Sequence, residues 1–315
     1  MDGYKKFLEY VKDLIPQATP EELALAGVPL NAIRQLSSLS WREYHKLNRK
    51  IRQNPQEIVR RRKQLIKEWY SKTFEAHEKQ STIKPTAITL EMFLETYRED
   101  GLFAHPNEIF DSLSELYNLG YHFPYTPKHR DAYLAALITF TGHIDRNSYS
   151  VEIQADKEDL ENVVNKLDLR GKIVPSKYGY RRLRLPASLG RLFMLLDVPV
   201  GDKMETEFKL PSWISRDYLG EYLAGLLDSR LYINSHIQLK FYRQENTIGF
   251  LEHIKNILDD FGISANVRYY HSKRPNRIEG VVSLSGRDKL NLERVLQLPL
   301  KFPSKIRKLK EEILR

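Results

Sequence analysis

The feature that most constrains this chain is that its latter part is written twice. One stretch opens with Tyr133-Leu134-Ala135-Ala136-Leu137-Ile138-Thr139-Phe140-Thr141-Gly142-His143-Ile144. A second opens with Tyr222-Leu223-Ala224-Gly225-Leu226-Leu227-Asp228-Ser229-Arg230-Leu231-Tyr232-Ile233, a period of roughly 90 residues later. Each reads as an apolar helix with small residues at its centre, running into a strand. After each come a strand (149–154; 237–243), an amphipathic helix (157–167; 247–261), basic and aromatic strands (177–185; 265–271 with 280–284) and a closing helix (188–196; 288–296). The recurrence predicts two copies of one α+β unit.

The helix-strand-strand-helix-strand-strand-helix order resembles the LAGLIDADG family, the homing-endonuclease fold. LAGLLDSRL (223–231) keeps the motif's first four letters and Asp228, while LAALITFTG (134–142) keeps Leu134, Ala135, Leu137, Ile138 and Gly142. The segment 192–203 is similar to the family's inter-repeat segment, as is 210–214 to what precedes its second motif. The resemblance covers 130–315. It implies two αββαββα repeats, 130–205 and 206–315, with pseudo-twofold symmetry, forming a saddle, preceded by an all-α region, 1–125. It implies a monomer whose motif helices pack at the join, where Ala135, Ala136, Ala224 and Gly225 let two backbones approach closely.

In the family, the eighth motif position is a carboxylate in each repeat, and the pair holds divalent cations for phosphodiester hydrolysis. Here those positions are Thr141 and Arg230. A hydroxyl carries no charge and a guanidinium cannot ligate a metal. The altered site should repel Mg²⁺ and attract phosphate, so no catalytic residue and no cofactor are expected. Leu231 also replaces the second motif's terminal glycine. Asp145, expected in the following strand, with Glu221, is the remaining route to a metal site. Asp228 lies two residues before Arg230 and points to another side of the helix. Arg230 then meets either a phosphate or an internal acid, Asp145 or Glu221.

In the family the sheets face the nucleic acid, and strand alternation selects the residues that would do so. These are Arg182 and Arg184; Gln238, Lys240 and Tyr242; and Arg268 and Tyr270. The basic loop with Lys273, Arg274 and Arg277 could reach a backbone, as could the stretch 305–310. Such residues supply phosphate and base-edge contacts. A merely solvated outer face is the competing reading.

Residues 1–125 read as helical. Helices are predicted over 3–15, 40–80, 90–97 and 107–119, with a possible helix-turn-helix at 19–36 around Gly27. The run Arg60-Arg61-Arg62-Lys63 either grips phosphates or is a solvated face. The chain has a net charge of +9, which favours a polyanionic partner. From His236 onward 16 Lys and Arg stand against 9 Asp and Glu, so the excess sits mainly in the C-terminal third and in one N-terminal helix. The chain has no cysteine, which excludes disulfides and thiolate metal sites. No apolar run is long enough to span a membrane, and a cytoplasmic protein without a membrane partner is expected.

The expected function is nucleic-acid binding, duplex DNA first, on a fold that has lost cleavage; regulators built on degenerate copies are known in the family. One alternative is an active endonuclease with unusual ligands, the only reading that needs Mg²⁺. Another is an RNA-binding factor, maturase-like or ribosome-associated.

Overall fold

The computed structural model describes residues 3–74, 87–104, 106–176, 179–201, 209–233, 237–243, 248–271, 278–284 and 289–315. They form two compact units, Met1–Thr126 and Pro127–Arg315.

The first unit is helical: α1 (Gly3–Lys12), α2 (Pro20–Leu25), α3 (Leu30–Leu36), α4 (Trp41–Ile51), α5 (Pro55–Phe74), α6 (Leu90–Glu95), α7 (Glu99–Ala104) and α8 (Pro106–Asn118). Capping boxes start α2 (Thr19 with Glu22) and α4 (Ser40 with Glu43). Over its described part, 40–74, the helix expected over 40–80 is two helices, and 75–80 lie outside the described residues. Pro55 lacks the N–H that a continuing helix needs, so it opens α5, and Asn54 Oδ1 accepts from Glu57 N at 3.3 Å. The first helix stops at Lys12 rather than near Ile15, and α7 was not foreseen. The core is aromatic: Phe7 stacks on Phe110 with ring centroids 3.8 Å apart, and Trp69 meets Phe110 edge-on at 4.9 Å. The turn between α2 and α3 uses Gly27 at φ +96°, where an added Cβ would lie 2.7 Å from the backbone N of Arg62. That glycine is thus explained by close packing against α5.

The second unit has the expected order twice. The first run is α9 (His129–Phe140), β1 (Gly142–Ile144), β2 (Val151–Ala155), α10 (Lys157–Leu167), β3 (Lys172–Pro175), β4 (Arg181–Leu185) and α11 (Ala187–Leu195). The second is α12 (Leu219–Arg230), β5 (Leu231–Ile233), β6 (Ile237–Arg243), α13 (Ile248–Asp260), β7 (Ala265–His271), β8 (Ile278–Leu284) and α14 (Lys289–Gln297), with α15 (Pro303–Leu314) added. Each run makes one four-stranded antiparallel sheet of the same topology, β1-β2-β4-β3 and β5-β6-β8-β7. Of the strands expected over 177–185, the described residues hold β4, and its partner β3 begins earlier, at Lys172.

α9 and α12 pack directly on each other. Every residue of α9 from Asp131 to Phe140 is buried, as expected for a helix with neighbours on all sides. A Cβ on Gly225 would stand 2.4 Å from the carbonyl oxygen of Tyr133 and 3.0 Å from Ala136 Cβ. The small residues of the two motifs therefore set the helix separation. At this join Tyr133 Oη donates to Asp228 Oδ2 at 2.7 Å. Thr139 and Tyr222, at the corresponding positions of the other copies, bury their hydroxyls without hydrogen-bond partners among the described residues.

α15 ties the two runs together. Asp228 of α12 accepts from the backbone N–H of Lys301 (2.6 Å) and Phe302 (3.2 Å), ahead of α15. Asp159 of α10 accepts from Ser304 N and Ser304 Oγ, at 3.0 and 2.6 Å. Two buried carboxylates, one from each run, thus satisfy donors at the start of the same helix.

Candidate nucleic-acid interface

The strands of the second unit alternate as their sequences predict. Val151, Ile153, Leu183 and Leu185 turn inward in the first sheet, as do Ile237, Leu239 and Phe241 in the second. The outward residues line up across strands. In the first sheet one row reads His143–Glu152–Arg184–Lys172, and the next Gln154–Arg182–Val174. In the second sheet the corresponding rows are Tyr232–Gln238–Ser283–Asn266 and Lys240–Val281–Arg268. Val281 is only 3% exposed although it lies on this outer face. In its row it stands between Lys240 and Arg268.

Arg182 and Arg184 do face outward, but neither is a lone cation. Glu152 lies between them, 2.9 Å from Arg182 Nη1 and 2.8 Å from Arg184 Nε. This carboxylate is a residue that sequence reasoning missed, although the alternation of 151–155 already put it on the outer face. It leaves one net positive charge among the three groups and holds both guanidinium planes in place. Tyr232 was also missed. Its ring is 42% exposed, with Lys240 Nζ 6.0 Å and Lys305 Nζ 5.7 Å from its centroid. Gln238 and Lys240 are half-buried, whereas Arg268 and Tyr270 are exposed. Tyr242 belongs to β6 and its register pairs it with Glu279, but its side chain is outside the described residues, as are Lys273, Arg274 and Arg277 entirely.

The basic stretch at the end of the chain divides. Lys305 folds inward and donates to the carbonyl of Leu231, and burial lowers its pKa. Arg307 makes a bidentate pair with Glu158 at 2.6 and 2.7 Å. Lys308 and Lys310 remain exposed.

At the foot of the motif helices, Thr141 is the residue that ends α9, and its hydroxyl donates to the Gln154 carbonyl at 2.9 Å. Arg230 Nη2 donates to the carbonyl of Phe140, the last residue of α9. A cation placed there complements the negative end of the helix. The acids expected beside it are engaged in other contacts. Glu221 lies 3.1 Å from His129 Nδ1. Asp145 is not in a strand but in the turn after β1, where it accepts from Asn147 N (3.0 Å) and from Ser148 N (2.7 Å) and Oγ (2.9 Å). Those bonds hold its pKa below the usual carboxylate range. Asp228 is 1% exposed and used in structural contacts, and burial pushes its pKa up to about 6. A threonine that donates to a carbonyl and an arginine that caps a helix do not fit a divalent cation. No group of three potential His, Asp or Glu ligands gathers anywhere among the described residues.

In the first unit the basic run of α5 corrects the sequence reading. Arg62 is 2% exposed and points inward, where Nε donates to the carbonyl of Gly27 (2.8 Å) and Nη1 to those of Leu102 (2.8 Å) and Phe103 (2.6 Å). Burial lowers its pKa to about 10, so it stays charged at neutral pH while inaccessible to phosphate. Arg60 and Arg61 both contact Glu57, at 2.7 and 2.6 Å.

No protein-family model and no curated protein matches the chain. Solved structures similar to it are LAGLIDADG proteins. One is I-DmoI in complex with DNA and Ca, 15% identical, covering 58% of this chain and 97% of that one, with a TM-score of 0.39. Another is the LAGLIDADG meganuclease I-AabMI bound to uncleaved DNA, 16% identical over 57% of this chain and 87% of that one, TM-score 0.35. A third is the N-terminal LAGLIDADG domain of DUF199/WhiA, 16% identical over 62% and 92%, TM-score 0.34.

Proposed function

We propose that residues 127–315 bind duplex DNA across the outer faces of their two sheets and do not cleave it. The two copies would form a saddle about a pseudo-twofold axis between α9 and α12. The observation that carries this reading is the pair of equivalent cross-strand rows. The first sheet presents Lys172, Arg182, Arg184 and Gln154 outward, and the second Lys240, Arg268, Gln238 and Asn266, each set on a rigid antiparallel frame. Guanidinium and ammonium groups supply salt-sensitive phosphate contacts, and the amides supply base-edge contacts. The Glu152 clamp favours this over a merely solvated face, because it fixes two guanidinium forks in one orientation. Loss of cleavage is supported by Thr141 and Arg230, which occupy the positions where the LAGLIDADG resemblance implies paired carboxylates for metal-assisted hydrolysis.

The test is fluorescence anisotropy of a labelled duplex as a function of salt. Lys240→Ala with Arg268→Ala should weaken binding and flatten the slope of log affinity against log salt by about two units. An unchanged slope would overturn the assignment of this face. Tighter binding to an A-form RNA duplex would move the reading from DNA to RNA.

A further inference from the structure

We propose that the N-terminal unit carries a separate site for single-stranded nucleic acid on the outward side of α4, with an unpaired base stacking on Trp41 and the neighbouring phosphates meeting Arg42, Lys46 and Arg49. It lies in the other unit and does not rest on the duplex-binding reading.

The first observation is the tryptophan itself. Of the three in the sequence, Trp69 and Trp213 are 0% and 9% exposed, but Trp41 is 58% exposed. Leaving so much of a large apolar ring in water forgoes stabilisation that a core position would give. The ring is not isolated. The guanidinium of Arg34 lies 3.6 Å from its centroid, His45 stacks alongside at 5.7 Å, and Tyr44 stands edge-on at 5.7 Å. An aromatic platform backed by arginine is the surface on which unstacked bases lie, independent of sequence.

The second observation is charge. Arg42, His45, Lys46 and Arg49 recur at the i, i+3, i+4, i+7 spacing of one helix face, and all are exposed. The stripe is roughly 10 Å long at 1.5 Å rise per residue. The nearby acids, Glu43 and Glu21, lie close enough to Lys46 to feel its charge, but their hydrogen bonds go elsewhere. Glu43 accepts from Ser40 N and Oγ at 2.9 and 2.6 Å in the capping box, and Glu21 pairs with Lys50. Among the described residues, Arg42 and Arg49 have no carboxylate within ion-pair distance.

The third observation is a concavity beside the platform. A cleft of about 410 Å³ opens between α3, α4 and α8, lined by Asn31, Tyr44, Asn48, Arg52 and Glu108 among others. Tyr44 borders both cleft and platform, and the polar lining offers donors and acceptors to the edge of a second base. A duplex has no unpaired base to give to either feature, so the chemistry selects single strands.

The test uses the full chain and 12-nucleotide single-stranded probes, oligo-dT and oligo-U, which share stacking faces and phosphates and differ in the sugar. Either should quench the fluorescence of the exposed Trp41, while the two buried tryptophans keep theirs. Trp41→Ala should lower single-strand affinity about tenfold, measured by anisotropy of the labelled probe. Trp41→Phe should retain most of the affinity while removing the quench. Changing Arg42, Lys46 and Arg49 to Ala together should flatten the single-strand salt slope by about two units. Duplex affinity should be unaffected in all three variants, so this proposal can fail without the duplex reading failing. Two results would overturn it: no quench with either probe, or single-strand affinity in Trp41→Ala equal to that of the parent.

Discussion

Asp228 gathers three donors that are far apart in sequence: the Tyr133 hydroxyl and the backbone N–H groups of Lys301 and Phe302. Burial raises its pKa to about 6, against roughly 3.9 for the unfolded chain. Between those values the folded protein keeps a proton that the unfolded chain has released. This contribution is therefore fully present below about pH 4 and is lost as pH rises through 6, on the order of 3 kcal/mol in all. Asp228→Asn retains an acceptor and cannot titrate. Urea denaturation at several pH values from 4 to 7 should show the difference in stability between the two proteins shifting in favour of the variant as pH rises. A difference that stays constant would rule this titration out. The corresponding position of the first copy behaves oppositely. Thr139 buries a hydroxyl that makes no hydrogen bond among the described residues, so Thr139→Val should be neutral or stabilising in thermal melts. A loss above about 1 kcal/mol would mean that the hydroxyl is in use.

At the scale of elements, the join between α9 and α12 is set by backbone contact. Gly225→Ala would place a methyl group 2.4 Å from the Tyr133 carbonyl, and should cost about 1–3 kcal/mol. An unchanged melting temperature would mean that the helices separate freely. Arg230 caps the partner helix, so Arg230→Ala should lower thermal stability by about 1 kcal/mol while the duplex salt slope stays the same. A slope flatter by about one unit would instead give Arg230 a phosphate. The repeat, the motif helices and the inward and outward sets of each strand were legible, because burial imposes periods of 3.6 and 2 on the sequence itself. What was not legible depends on who sits opposite. Glu152 matters because of its register with Arg184, and Arg62 because 100° of helix rotation separates it from the exposed Arg61. Likewise, nothing local marks Asp228 as a partner for residues more than 70 positions away. The break at Pro55 was readable in principle from the missing N–H of proline.

At the scale of the whole molecule, the proposed function has one unit hold a duplex on two sheets without cutting it. The two α+β copies supply the frame, and at the feet of α9 and α12 stand a helix-ending threonine, Thr141, and a helix-capping arginine, Arg230. Binding and cleavage can be read in one experiment. An end-labelled duplex library is incubated with the full chain in Mg²⁺ or Mn²⁺, and samples are resolved on native and denaturing gels. Shifted complexes on the native gel with full-length strands on the denaturing gel are the predicted result, and the shift should weaken with salt. Metal-dependent nicking or double-strand cleavage, abolished by changing Asp145 or Asp228, would contradict the account.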